Sequence, residues 1–242
     1  MFEIADWPLF LQVFAAVGVL LYGIVLVRFI PQRYAWPFNI ATSVATIALC
    51  LWLGLSLDSI GLSVDTLLRG FIIGLITSSL IISAVYLVAQ IPLLNRFFTD
   101  TPFARMSRRR LGTEVAMRIP LSTALLEEVL FRGVLLGLFL QFHDTVVALL
   151  LMSICFGLWH IAGEVRRLET QHTARPLLRT ANGQQWATIV GIVAATGAAG
   201  FVFGVLRIWS GSLLAPWLVH WAINASGALA SRVPVTKKSR SV

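Results

Sequence analysis

Charge is scarce in this chain. Only 12% of its 242 residues are Asp, Glu, Lys or Arg, and only 11 are acidic. A soluble domain carries about 25% charged residues, so this chain has too few to cover a wetted surface. Cysteine is equally sparse: Cys50 and Cys155 are the only two, and both sit in apolar runs. That excludes a disulfide framework and a Cys-x-x-Cys zinc site. The apolar stretches do not alternate with polar residues, which argues against an outer-membrane barrel. Also missing are His-Glu-x-x-His, Gly-x-Ser-Gly and Gly-x-Gly-Asp, the marks of other intramembrane protease chemistries.

What is there is apolar: 57% of residues, with a mean hydropathy of +0.83. Seven runs of about 20 residues are each long enough to cross a ~30 Å hydrocarbon layer as a helix. They cover 8–30, 37–57, 70–94, 114–142, 145–162, 186–208 and 212–230. An interfacial or re-entrant helix over 91–106 would add an eighth segment. The expected fold is all-α, a polytopic transmembrane bundle forming one integral membrane domain over 1–242, with no separate soluble domain. The first run follows Glu3 and Asp6 rather than a basic region and is too long for a signal-peptide core, so it reads as a retained span.

The net charge of +8 is clustered. Arg28 and Arg33 flank the first loop, and Arg96, Arg105, Arg108, Arg109 and Arg110 crowd the third. Arg166, Arg167, Arg175 and Arg179 occupy the fifth; Arg232, Lys237, Lys238 and Arg240 lie in the tail. Asp58, Asp65 and Asp144 mark the alternate loops. By the positive-inside rule the N-terminus is outside and the C-terminus cytoplasmic, which requires an odd number of spans. Such basic loops meet anionic membrane lipid. Without an aromatic-basic platform or a reading helix, nucleic acid is not an expected partner. The polar segment 164–185 reads as a cytoplasmic linker beside the site, with a lid as the alternative. The pairs Gly70/Gly74, Gly133/Gly137 and Gly200/Gly204 permit close helix approach.

Against this background Glu127, Glu128 and Arg132 stand out, because an ionisable group at bilayer depth costs ~2.5–3.5 kcal/mol on insertion scales. Glu128 and Arg132, four apart, share a helix face and suit a helix-positioning ion pair. Glu127 points about 100° away, with no basic residue one turn on. A carboxyl in a low-dielectric site beside another carboxylate is expected to titrate high, as a general base or acid requires. His160 closes the fifth run, and His220 and Asn224 share a face of the seventh. All four groups (Glu127, His160, His220, Asn224) fall in the expected cytoplasmic half; Glu127 lies about eight residues, ~12 Å, from the edge. A carboxylate base, an imidazole partner and neutral donors suffice for non-covalent peptide hydrolysis. A two-histidine, one-carboxylate zinc site of Glu127, His160 and His220 is the metal-dependent alternative. A non-catalytic scaffold or immunity factor, or a proton-coupled carrier, would use the same residue types.

Three motifs, in order, resemble the CAAX protease and bacteriocin-processing family of intramembrane glutamate proteases. They are Glu127-Glu128-Val-Leu-Phe-Arg132, Phe156-Gly-Leu-Trp-His160 and His220-Trp-Ala-Ile-Asn224. The likeness covers about 113–227. It implies a membrane endopeptidase without a cofactor, acting on a peptide or membrane-protein substrate in a prokaryotic cell membrane. It further implies that Glu127 and His160 activate water and that His220 and Asn224 stabilise the oxyanion. Glu128, Arg132 and Phe156 would support them. Nothing in the sequence sets the oligomeric state.

Overall fold

The computed structural model describes residues 9–99, 101–171 and 183–233, and the described residues contain helices and no strand. Helix α1 (Leu9–Phe29) is apolar on every side, as a lipid-facing helix must be. It stops before Pro31, because a proline disfavours helical geometry in the preceding residue. Helix α2 (Gln32–Trp52) starts ahead of the expected 37 and carries Pro37 inside it.

Helix α3 (Val64–Ala89) ends short of the expected 94. Asn95 Nδ2 donates to the Ala89 carbonyl at 2.6 Å, and Pro92 opens a new helix, α4 (Pro92–Thr99). With its eight residues α4 is ~12 Å long, too short to cross a bilayer. A 3₁₀ turn follows over Pro102–Arg105. The segment 91–106 is therefore a bent, non-spanning connection.

Helix α5 is a continuous rod over 108–139 with mixed pitch. It is α-helical over Arg108–Thr113, π-helical over Glu114–Ala124, α over Leu125–Glu127, π over Glu128–Leu135 and α over Leu136–Phe139. Helix α6 (Thr145–Gln171) is capped by Asp144, whose Oδ1 accepts from the Val146 and Val147 N–H groups at 3.0 and 3.1 Å. It continues well past the expected 162, so residues 164–171 are helix and not linker; 172–182 lie outside the described residues. Helix α7 (Gly183–Ser210) ends at Gly211, whose φ of +71° turns the chain into α8 (Leu214–Ala230).

Among the described residues five helices are long and apolar enough to cross a membrane: α1, α2, α3, α6 and α7. The other two long rods carry the polar residues of interest. Helix α5 holds Glu114, Arg118, Glu127, Glu128 and Arg132, and α8 has 17 residues.

Helix α5 forms the centre. Leu126, Val129, Leu130, Phe131, Leu135 and Leu136 are almost wholly buried, whereas Leu9, Phe14, Leu68, Leu80 and Tyr86 on α1 and α3 are exposed. The bundle is apolar outside as well as at its core, and a few charged side chains, Glu127, Glu128 and Arg132 among them, are buried within that core. Five of the six paired glycines sit at close approaches, whereas a Cβ at Gly133 would make only ordinary contact. Gly70 and Gly74 meet α8 at Ser212 and Ala215; Gly200 and Gly204 meet α6 at Phe156 and Met152; Gly137 meets the Ser59 carbonyl. At one end Gln12 and His143 meet at 2.9 Å, and Arg207 donates to the carbonyls of Asp58 and Ser59. Arg28, Arg96, Arg105, the Arg108–Arg110 run and Arg232 collect at the other.

Candidate active site

The π geometry of α5 sets the site. Its amides reach back five residues, as from Leu125 to the Pro120 carbonyl, and Pro120 itself has no N–H to offer. Two indoles on α8 bond to α5 carbonyls here: Trp221 Nε1 donates to Val115 O at 2.7 Å and Trp217 Nε1 to Pro120 O at 2.9 Å. Such π stretches concentrate at functional sites. A π turn also advances each residue by less than the ~100° of an α-helix. Glu127 and Glu128, expected to diverge, are thereby reached by one ring: His220 Nδ1 is 2.8 Å from Glu128 Oε1, and its Nε2 is 3.8 Å from Glu127 Oε2.

Behind the glutamates lies a dry ion pair. Arg132 Nη1 donates to Glu128 Oε1 at 3.1 Å, both side chains being fully buried. The guanidinium is held between the rings of Phe156, at 4.0 Å, and Phe203, at 4.9 Å. Its Nη2 also donates to the Gly200 carbonyl at 3.5 Å. Phe156 can press this close because Gly200 has no side chain; a Cβ there would lie 3.0 Å from its ring.

His160, on the same face of α6 as Phe156, sets its ring edge-on to it at 4.7 Å. Its Nδ1 is 2.8 Å from the Phe156 carbonyl, which can only accept, so Nδ1 carries the proton. In the neutral ring Nε2 is then the free acceptor.

A cavity of about 370 Å³ brings these parts together. Glu127 and Thr123 of α5 line it with His160, Trp159, Glu164 and Arg167 of α6 and Asn39 of α2. Leu26 and Val27 of α1 complete the wall on one side. Glu127 is only 6% exposed, and its Oε1 accepts from Trp159 Nε1 at 3.2 Å. The structure thus puts Glu127 and His160 on one cavity and His220 against Glu127. It does not bring Asn224 to that wall: Asn224 is half-buried and, among the described residues, makes no hydrogen bond.

Residues 112–226 match the family model described as type II CAAX prenyl endopeptidase Rce1-like. Over these residues the chain is similar to the CAAX protease family. The match runs from the first turns of α5 into α8 and takes in all three motifs. Helices α1 to α3 lie outside it, although α1 and α2 supply cavity wall to the matched core. No curated protein and no solved structure matches the chain.

Several cavity residues were not singled out from the sequence as site candidates. Asn39 carried a usable signal, being an amide in an apolar run, and its Nδ2 donates to Ser122 Oγ at 2.9 Å. Trp159 carried none, since a tryptophan in a membrane helix is ordinary. Glu164 and Arg167, paired through Arg167 Nε and Glu164 Oε2 at 2.7 Å, were hidden inside the supposed linker. Among the described residues no three His, Cys, Asp or Glu side chains converge to hold a metal ion.

Proposed function

We propose that this protein is an intramembrane endopeptidase that hydrolyses a peptide bond with water activated by Glu127. One observation carries the proposal: a buried carboxylate and a histidine share one cavity in an apolar bundle, with a second imidazole against the carboxylate. The match to a family described as prenyl endopeptidases supports peptidase chemistry.

In this scheme the water sits between Glu127 and His160 Nε2. Glu127 takes a proton as the water oxygen attacks the carbonyl carbon. The carbonyl oxygen becomes an oxyanion, which His220 stabilises with Asn224 one turn on. Glu127 then returns the proton to the departing amine nitrogen as the C–N bond breaks. Glu128, Arg132 and Phe156 hold α5 and α6 in register. The substrate is a peptide or membrane-protein segment, and no metal takes part.

The finer topology belongs to the same proposal. Seven spans, α1 to α3 and α5 to α8, put the N-terminus outside and the arginine-rich end in the cytoplasm of a prokaryotic cell, facing anionic lipid. The cavity reaches Glu164 and Arg167, so the site opens towards that end. The catalytic core is about 113–227 within a single membrane domain.

The decisive experiment compares wild type with Glu127→Gln in detergent micelles. The probes are internally quenched peptides with a cysteine four residues from the C-terminus, one farnesylated and one plain. Wild type is expected to cleave at least one and Glu127→Gln neither, while both elute as folded protein. A Glu127→Gln enzyme with the wild-type rate would overturn the mechanism. A wild type inert on every peptide, whose Glu127→Gln variant keeps its cellular effect, would favour the scaffold. Wild-type cleavage is expected to survive chelator; loss with chelator and recovery with zinc would favour the metal alternative.

A further inference from the structure

We infer that Trp159 is a positioning residue for Glu127, seated by Gly23 of α1, a helix outside the family match. The inference rests on Glu127 as the base but concerns what aims it. The carboxylate has two oxygens, and the structure gives them different neighbours. Oε2 faces His220, and Oε1 accepts from the Trp159 indole N–H. A donor held in place by packing restricts the carboxylate to one orientation; a carboxylate free to turn loses alignment with its water.

The indole is itself tightly held. It meets Phe131 edge-on at 5.5 Å and stacks on Tyr22 at 6.3 Å. Its six-membered ring lies over Gly23, where a Cβ would sit 2.6 Å from Cε3 and 2.7 Å from Cζ3. Real Cβ atoms do not approach so closely, so any side chain at position 23 must push the ring. Tyr22 is fixed in turn by Thr42 of α2, its hydroxyl 2.9 Å from Thr42 Oγ1. The chain of contact runs α2–Tyr22–Trp159–Glu127, with Gly23 as the clearance that lets the ring in. The first two helices thus act on the base through the indole.

Two substitutions and their combination test this. Trp159→Phe keeps an aromatic ring and removes the donor. Loss of a hydrogen bond to a charged group is expected to lower kcat about ten- to hundredfold, with KM moving less than about threefold. Gly23→Ala should lower kcat by displacing the indole, yet cost little more in the Trp159→Phe background, whose smaller ring leaves room. The pair is therefore non-additive. Should Trp159→Phe misfold, β-(3-benzothienyl)alanine at position 159 preserves the shape and removes the N–H. A readout independent of turnover is labelling of Glu127 by a hydrophobic carbodiimide, followed by mass spectrometry. Labelling is expected to speed up in Trp159→Phe and in Gly23→Ala. Unchanged kcat and labelling in Trp159→Phe, or kcat losses that simply multiply, would overturn the inference. An active Glu127→Gln would instead sink the mechanism and leave the labelling result to stand alone.

Discussion

Arg132 lies fully buried between two aromatic rings, with one carboxylate at 3.1 Å and its Nε without a partner. Glu128 Oε2 is likewise buried and unpartnered. A pair in this state is expensive to break on one side, because the survivor is left as an uncompensated buried charge. Arg132→Ala should therefore destabilise by about 3–5 kcal/mol, read as a lower Tm in detergent and loss of the monodisperse peak. Replacing both partners by leucine should recover much of that stability, since an apolar pair leaves nothing orphaned. Recovery without activity would also separate holding the helix from handling the substrate. The ion pair itself was legible as two charges four residues apart in an apolar run. What the sequence hid was the contact between His220, a candidate in its own right, and Glu128, 92 residues away in the chain.

Helix α5 was expected as one ordinary span and is a rod with two π stretches. Its pitch answers to partners on α8, the two indoles that bond its carbonyls around Pro120. Trp221→Phe should cost about 1–3 kcal/mol by removing the indole donor to the Val115 carbonyl, and Trp217→Phe less, because the Pro120 carbonyl still accepts from the Leu125 N–H. Urea or thermal unfolding of each variant checks this, and wild-type stability in either would show water replacing the indole. Gly200 makes a second prediction at this scale. Gly200→Leu would drive into Phe156 and separate α7 from α6, so the Phe156 ring would leave Arg132 and activity and Tm should fall together. Helix ends were less legible than helix cores. Asn95 stops α3 by bonding the Ala89 carbonyl, and a side chain reaching back six residues has no hydropathy signature.

For the whole molecule, the asymmetric ends imply a topology that can be checked with impermeant maleimide. In a background with Cys50 and Cys155 replaced by alanine, Arg105→Cys should label only from the cytoplasmic side and Asp58→Cys only from outside. The reverse pattern would invert the bundle and put the cavity in the other half. Deleting 1–63 should abolish cleavage even though the family core remains, because α1 and α2 supply cavity wall at Leu26, Val27 and Asn39.

Sequence alone determined that this is an all-helical membrane protein with its candidate site residues on three helices. Apolar run length and the expense of intramembrane charge are one-dimensional properties, visible without neighbours. Which of those polar groups share a cavity was decided only by tertiary packing. Glu127, His160 and Trp159 converge there, while Asn224 stays off its wall. That outcome depends on helix rotation, π pitch and glycine clearances, which are set where side chains from distant parts of the chain meet and are not written in any single stretch of it.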